Sequence, residues 1–352
     1  MSTKLLDNRK RKELQPATEL WNLYHPEKAP HRFRARSRTA AGKWQSVTQK
    51  ALLKSIGFQS PPAGALSPRK LETVDKGDYV REKILLRTAQ GSLMPVYMLM
   101  PKGAPRPLPV IVAFHGHGYG VKDIVGLWES GSERNTPDGY HKDFGVELCR
   151  RGFAVAAPEI SCFGERQTDY TNLGPAGAPV PKTCTHSAML ASHLGASIVG
   201  LRVRDGRRLI DYLETRADLD AKSLGAMGIS GGGMHTFFSA CVVSGYYSSF
   251  RDSILAMDHC ACNFVPGLHE FGEMSDLVGL IAPRPLLVEA GDHDLIFPLR
   301  AVKKAVRRAG EVYSVFGAAG EVEVDYFEGR HQISGRRVYD FLWEKLRPGA
   351  PA

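Results

Sequence analysis

The spacing of apolar residues changes twice along the chain. In 17–25 and 41–56 it follows a helical period. Leu20, Trp21, Leu23 and Tyr24 mark the first stretch, and Trp44, Val47, Ala51, Leu52 and Ile56 the second. From Tyr79 the period falls to two, and 79–88 and 93–100, joined by Ala89-Gln-Gly-Ser92, predict an antiparallel hairpin. Beyond it 109–114 is a continuous apolar run, and further short strands are expected at 153–157, 224–229, 253–257, 285–290 and 322–327. Such a run suits a strand covered on both faces. Helical spacing lies between them at 144–151, 189–216, 234–243, 301–309 and 336–345. This alternation predicts an α/β fold, a mainly parallel, doubly wound sheet with helices on both faces. Ligands of such sheets bind beyond the carboxyl ends of the strands. Residues 1–15 are expected to fray. The basic helical N-terminal extension is placed at 1–74, with Pro61-Pro62-Ala63-Gly64 closing its helices, and the α/β domain at 75–352. A Gly- and Pro-rich stretch at 159–185 predicts a long loop or cap insertion.

Composition narrows the class. The 352 residues are 43% apolar and 24% charged, as in ordinary soluble proteins. No apolar run approaches the ~18 residues of a membrane span. The first twelve residues lack the apolar core of a secretory signal, so a cytoplasmic location and reduced thiols are expected. Charge is uneven: residues 1–70 hold 15 Lys and Arg against 4 Asp and Glu, and the rest 31 against 33. No nucleic-acid motif accompanies the basic arm, so neither nucleic acid nor membrane is expected as a partner. A homodimer is permitted. Cys260-Ala-Cys262 is too close-set for a usual zinc site, and no ligand pair follows it, so packing is its reading. Cys162, Cys184 and His186 lie in or beside the 159–185 loop and receive no role. No metal and no cofactor is expected.

The chemistry gathers on Gly228-Ile-Ser-Gly-Gly232, which follows an apolar strand and opens a helix. A serine on so sharp a turn is pushed outward, and small flanks let backbone approach it. Its hydroxyl needs a base, and the base needs a carboxylate. Ser230, Asp294 and His331 supply that set in chain order, each at or just beyond a predicted strand end. Asp294 competes with Asp292 and Glu289. It is preferred because the apolar Leu-Ile-Phe-Pro after it would turn the loop back toward the base. The oxyanion donors are expected to be the backbone N–H groups of Gly231 and His117, with Gly118 next. Gly118, Tyr119 and Trp128 are the candidate substrate-binding residues.

These motifs give the chain a family resemblance. It resembles the α/β-hydrolase superfamily, and within it the dienelactone hydrolase and acetyl xylan esterase-like branch with a helical N-terminal extension. The likeness is carried by His115-Gly-His-Gly118, Phe163-Gly-Glu-Arg166, Gly228-Ile-Ser-Gly-Gly-Gly233, Ile281-Ala-Pro-Arg-Pro285, Gly291-Asp-His-Asp294 and Gly329-Arg-His331. It implies a metal-independent Ser-Asp-His hydrolase acting on a small-molecule ester, a carboxylesterase. Two departures stand out. Dienelactone hydrolases use a cysteine where this chain has Ser230, and secreted acetyl xylan esterases carry an export signal not seen here. Two alternatives are weighed: a C–C bond hydrolase or peptidase using the same triad, and a non-catalytic scaffold with a binding N-terminal arm.

Overall fold

The alternation at 79–100 folds as a hairpin at one end of a large sheet. We describe a computed structural model covering residues 12–58, 64–170, 182–239 and 242–346. Strands β1 (Arg69–Asp75), β2 (Tyr79–Ala89) and β3 (Ser92–Pro101) pair antiparallel. Then come β4 (Leu108–Phe114), β5 (Ala154–Pro158), β6 (Leu219–Ile229), β7 (Val242–Ser244), β8 (Leu286–Gly291) and β9 (Val322–Phe327). The sheet order is β1-β2-β3-β5-β4-β6-β7-β8-β9, antiparallel through β3–β5 and parallel from β5 onward. Every residue of β4, β5 and β8 is buried, which accounts for their mostly apolar sequences.

The helices are α1 (Pro16–Leu23), α2 (Arg38–Ser55), α3 (Phe144–Arg150), α4 (Thr183–His193), α5 (Ile198–Leu213), α6 (Gly231–Ser239), α7 (Met274–Leu277), α8 (Leu299–Val315) and α9 (Val338–Leu346). They cover both faces of the sheet. On β4, Val110 and Val112 pack with Leu209 and Leu213 of α5, whereas Ile111 and Ala113 pack with Phe144 of α3 and Phe341 of α9. Successive strand residues thus feed opposite layers. The extension joins the same core. Phe33, Ala41, Leu52 and Ile56 are buried among Val278, Val302 and Tyr313. Gln45 Nε2 donates to Gly279 O at 2.8 Å and Ala282 O at 2.6 Å, while Ser37 Oγ caps α2 by accepting from Ala40 N. No described helix is long and apolar enough to cross a membrane.

Four expectations need correction. The single helix expected at 189–216 is two, α4 and α5. Gly195 takes φ +70° after α4, and Ser197 Oγ accepts from Gly200 N to cap α5. The strand expected at 253–257 is instead a helical turn, Phe250–Ile254, capped by Ser249. Its place in the sheet goes to β7, in a stretch read as the end of the 234–243 helix; α6 ends at Ser239. Strand β1 was not anticipated, because nearly all its residues are exposed and it carries no apolar period. Of the expected frayed end, residues 1–11 lie outside the described residues, and Lys12–Leu14 is a 3-10 turn. Pro61, Pro62 and Ala63 also lie outside them, as does 171–181 of the expected loop, whose last residues begin α4.

Candidate active site

Ser230 is the single residue between β6 and α6, and its φ is +56°. A non-glycine residue pays about 1–2 kcal/mol for that left-handed backbone, so the surroundings must hold it there. They do so by close approach. A Cβ on Gly228 would lie 2.4 Å from Gly232 O, and one on Gly232 would lie 2.0 Å from Phe114 O. Both positions accept only glycine. Ser230 N donates to Ser244 O of the neighbouring β7 at 3.1 Å, which ties the turn to the sheet.

The expected base and acid meet beside it. His331 Nδ1 lies 2.8 Å from Asp294 Oδ2, and Asp294 is almost fully buried. Asp294 Oδ1 accepts from Ile296 N at 2.8 Å and Phe297 N at 3.1 Å, so the apolar stretch after it does turn the loop back. These donors fix the carboxylate and, through it, the imidazole. Phe297 stacks on the His331 ring. Gly245, with φ +48°, lies under that ring; a Cβ there would be 2.9 Å from His331 Cε1. His331 Nε2 is buried and carries no hydrogen bond, which leaves it to face a reacting proton. Asp292 acts elsewhere. Its Oδ1 accepts from Gly329 N at 2.9 Å and so braces the turn that bears His331.

Ser230, Gly231, His331, His117 and Tyr140 line one cavity of about 280 Å³. The loop after β4 is held rigidly at its edge. Gly116 N donates to His141 Nε2 at 2.8 Å, and the Tyr140 hydroxyl donates to His117 O. His117 N lies 4.0 Å from the Cβ position of Gly231, so the two expected oxyanion donors are adjacent. Among the described residues neither N–H is used in a hydrogen bond. Gly118, Tyr119 and Trp128 do not line this cavity. Gly118 packs on Asp123. The Tyr119 hydroxyl donates to Leu127 O at 3.0 Å, and Trp128 lies under the Arg134 guanidinium. They lie at the rim of a buried charged group of Arg134, Asp123 and Asp143, with Gly118 and Trp128 exposed.

No family model matches the chain. Among curated proteins, "Putative hydrolase YtaP" of Bacillus subtilis (strain 168) is 26% identical over 286 residues, covering 77% of this chain and 88% of that protein. Among solved structures, a "putative acetyl xylan esterase" of Bacteroides fragilis NCTC 9343 superposes with a TM-score of 0.72 at 14% identity, over 89% of this chain and 82% of that one. A glucuronoyl esterase from Solibacter usitatus gives 0.60 at 15%, over 90% and 99%. The chain has the α/β-hydrolase fold.

In this fold the third acidic candidate, Glu289, sits beneath the elbow rather than in the cavity. It is buried, and it accepts from the Ser244 hydroxyl and from Gly335 N at 3.1 Å. Burial pushes its carboxyl up to about 7. A carboxyl raised in the folded state favours the protonated form. Its stabilising contribution is complete below the unfolded value and is lost as pH rises through about 7. Between pH 5 and pH 8 the wild type should therefore lose on the order of 3 kcal/mol of unfolding free energy relative to Glu289→Gln. Urea unfolding of both proteins at the two pH values measures this. Equal pH dependence in the two would show that Glu289 ionises normally.

The far wall of the cavity was missed from sequence. Met257, Asp258, His259, Cys260 and Asn263 line it, together with Tyr246 and Ile296. The dense polar and thiol run Asp258-His-Cys-Ala-Cys-Asn263 was the available signal, obscured by reading 253–257 as a strand. His117 also contributes more than backbone. Burial alone would lower its imidazole pKa, but hydrogen bonds to Cys260 and Cys262 outweigh it and push it up to about 9.

Proposed function

We propose that this α/β-hydrolase is a serine carboxylesterase acting on a small-molecule ester through an acyl-enzyme. Ser230 Oγ attacks the ester carbonyl as His331 Nε2 takes its proton. Asp294 holds His331 Nδ1–H and stabilises the imidazolium. The backbone N–H groups of Gly231 and His117 receive the oxyanion. His331 then passes the proton to the departing alcohol, and water repeats the sequence to release the acid. The carrying observation is the 2.8 Å approach of His331 Nδ1 to Asp294, beside a serine at φ +56° in the same cavity. A cavity of about 280 Å³ favours a small acyl or alcohol group, since small-molecule sites commonly span ~300–1,000 Å³. A cytoplasmic location belongs to the same proposal, and the five free thiols among the described residues support it.

The test is labelling of the purified chain with a fluorophosphonate, followed by peptide mapping. Adduct on Ser230 together with turnover of short-chain esters is expected. A folded chain that gives no adduct there overturns the reading.

A further inference from the structure

Four soft-ligand side chains gather beside the oxyanion loop, at the wall of the cavity, from three separate stretches of chain. His117 comes from the loop after β4, and Cys184 from the first turn of α4. Cys260 and Cys262 flank the first residue of the 3-10 turn Ala261–Asn263. The donor atoms of His117, Cys260 and Cys262 all lie within 4.8 Å of one another, and His117 Nε2 is 3.8 Å from Cys262 Sγ. Cys184 packs against the small buried cluster that holds Cys162 and Cys262, beside these three donors. In a tetrahedral zinc site with Zn–S about 2.3 Å and Zn–N about 2.0 Å, neighbouring donor atoms stand roughly 3.5–3.8 Å apart. The cluster is close to that size, and its cysteines are not joined in disulfides.

A second observation points the same way. Arg202 of α5 is 1% exposed and has no carboxylate partner among the described residues. Its Nη2 donates to Ser161 O at 3.1 Å, while Nε and Nη1 have no hydrogen-bond partner among the described residues. The groups whose charge it meets are Cys262, Cys184 and Cys162. A guanidinium does not shed its proton, so a buried one requires an anion beside it. A divalent cation held by three thiolates and one neutral imidazole carries one net negative charge, which Arg202 would balance.

We propose that His117, Cys184, Cys260 and Cys262 form a tetrahedral site for a thiophilic divalent cation, zinc by preference. Arg202 is its outer counter-charge, and Cys162 packs beside Cys184 without ligating. Binding exchanges three thiol protons for the cation and leaves every oxidation state unchanged. The ion fastens α4 and the 260–262 turn to the loop that bears the His117 N–H. Two of its ligands, His117 and Cys260, belong to the wall of the cavity that holds Ser230 and His331. The site spans parts of the chain distant in sequence, which explains why Cys260-Ala-Cys262 lacks a downstream ligand pair.

The experiment is titration of the reduced, metal-stripped full chain with Co²⁺, followed by Zn²⁺. One Co²⁺ per chain is expected. It should show intense d–d absorption of tetrahedral type and a thiolate-to-cobalt charge-transfer band, both abolished by one equivalent of Zn²⁺. Cys262→Ser should weaken binding more than about 100-fold, whereas Cys149→Ser, in α3 and remote from the cluster, should bind as wild type. Ser230→Ala should also bind as wild type, which separates this proposal from the esterase reading. Absence of the cobalt spectrum in the folded, reduced wild type overturns the site. So does unchanged affinity in Cys262→Ser, or a Cys184 disulfide that forms on isolation while the reduced chain takes no metal.

Discussion

Ser230→Ala is expected to lower kcat for a short-chain ester by at least ~10⁴-fold, with little change in KM. The oxygen removed is the one that bonds to the acyl carbon. The cavity walls and the His331–Asp294 pair remain, so substrate still binds. Residual turnover would come from water placed beside the Gly231 and His117 N–H groups. The same position separates chemistry from stability. Ser230 is held at φ +56°, where any residue with a Cβ is strained. Ser230→Gly removes the nucleophile and the strain together. It should be as inactive as the alanine variant yet more stable, by about 1 kcal/mol after allowing for glycine's greater freedom when unfolded. Kinetics with calorimetry on the three proteins reads both effects. Ester turnover within tenfold of wild type in Ser230→Ala would sink the nucleophile assignment.

That the candidate reacting groups could be placed from the sequence has a physical cause. Each follows a parallel strand of the sheet, and strands such as 109–114, 224–229 and 285–290 are mostly apolar because they are largely buried, whereas the half-buried 322–327 alternates apolar and acidic residues. The elbow glycines were legible because the close approach of Gly232 to Phe114 O admits nothing larger. Where period or run length failed, the reading failed. Strand β1 is exposed along nearly its whole length, and β7 is three residues long, so neither leaves a pattern. The break between α4 and α5 rests on Gly195 and Ser197, single residues that a continuous helical period overrides. The misplacement of 253–257 hid the cavity's far wall. The thiol cluster was illegible for another reason: its members are brought together only by the packing of α4 and the 260–262 turn around the loop after β4. Tyr119 and Trp128 follow Gly118 in a loop that folds away from the cavity onto Arg134.

The two aspartates that competed for the role of acid provide the second large effect. Asp294→Asn should lower kcat by about 10⁴-fold, and Asp292→Asn by less than about tenfold. At position 294 the carboxylate accepts from Ile296 N and Phe297 N through Oδ1 and faces His331 Nδ1 through Oδ2. Those two backbone donors would hold the asparagine oxygen at the Oδ1 position. Its amide would then point N–H toward Nδ1. The imidazole would be driven to the tautomer with its proton on Nε2, and that nitrogen could no longer accept a proton from Ser230. Packing would barely change, since the residue keeps its shape and both backbone bonds. At position 292 the side chain is 40% exposed, lies 3.7 Å from His293 Nε2 and accepts from Gly329 N through Oδ1, a bond the asparagine oxygen keeps. The pair therefore separates a group that sets the base's protonation from one that braces the turn carrying it. Fluorophosphonate labelling rates should follow kcat in both variants, because phosphonylation also needs His331 to take the serine proton. Equal losses in the two variants, or a larger loss in Asp292→Asn, would move the acid to Asp292 and reassign the turn.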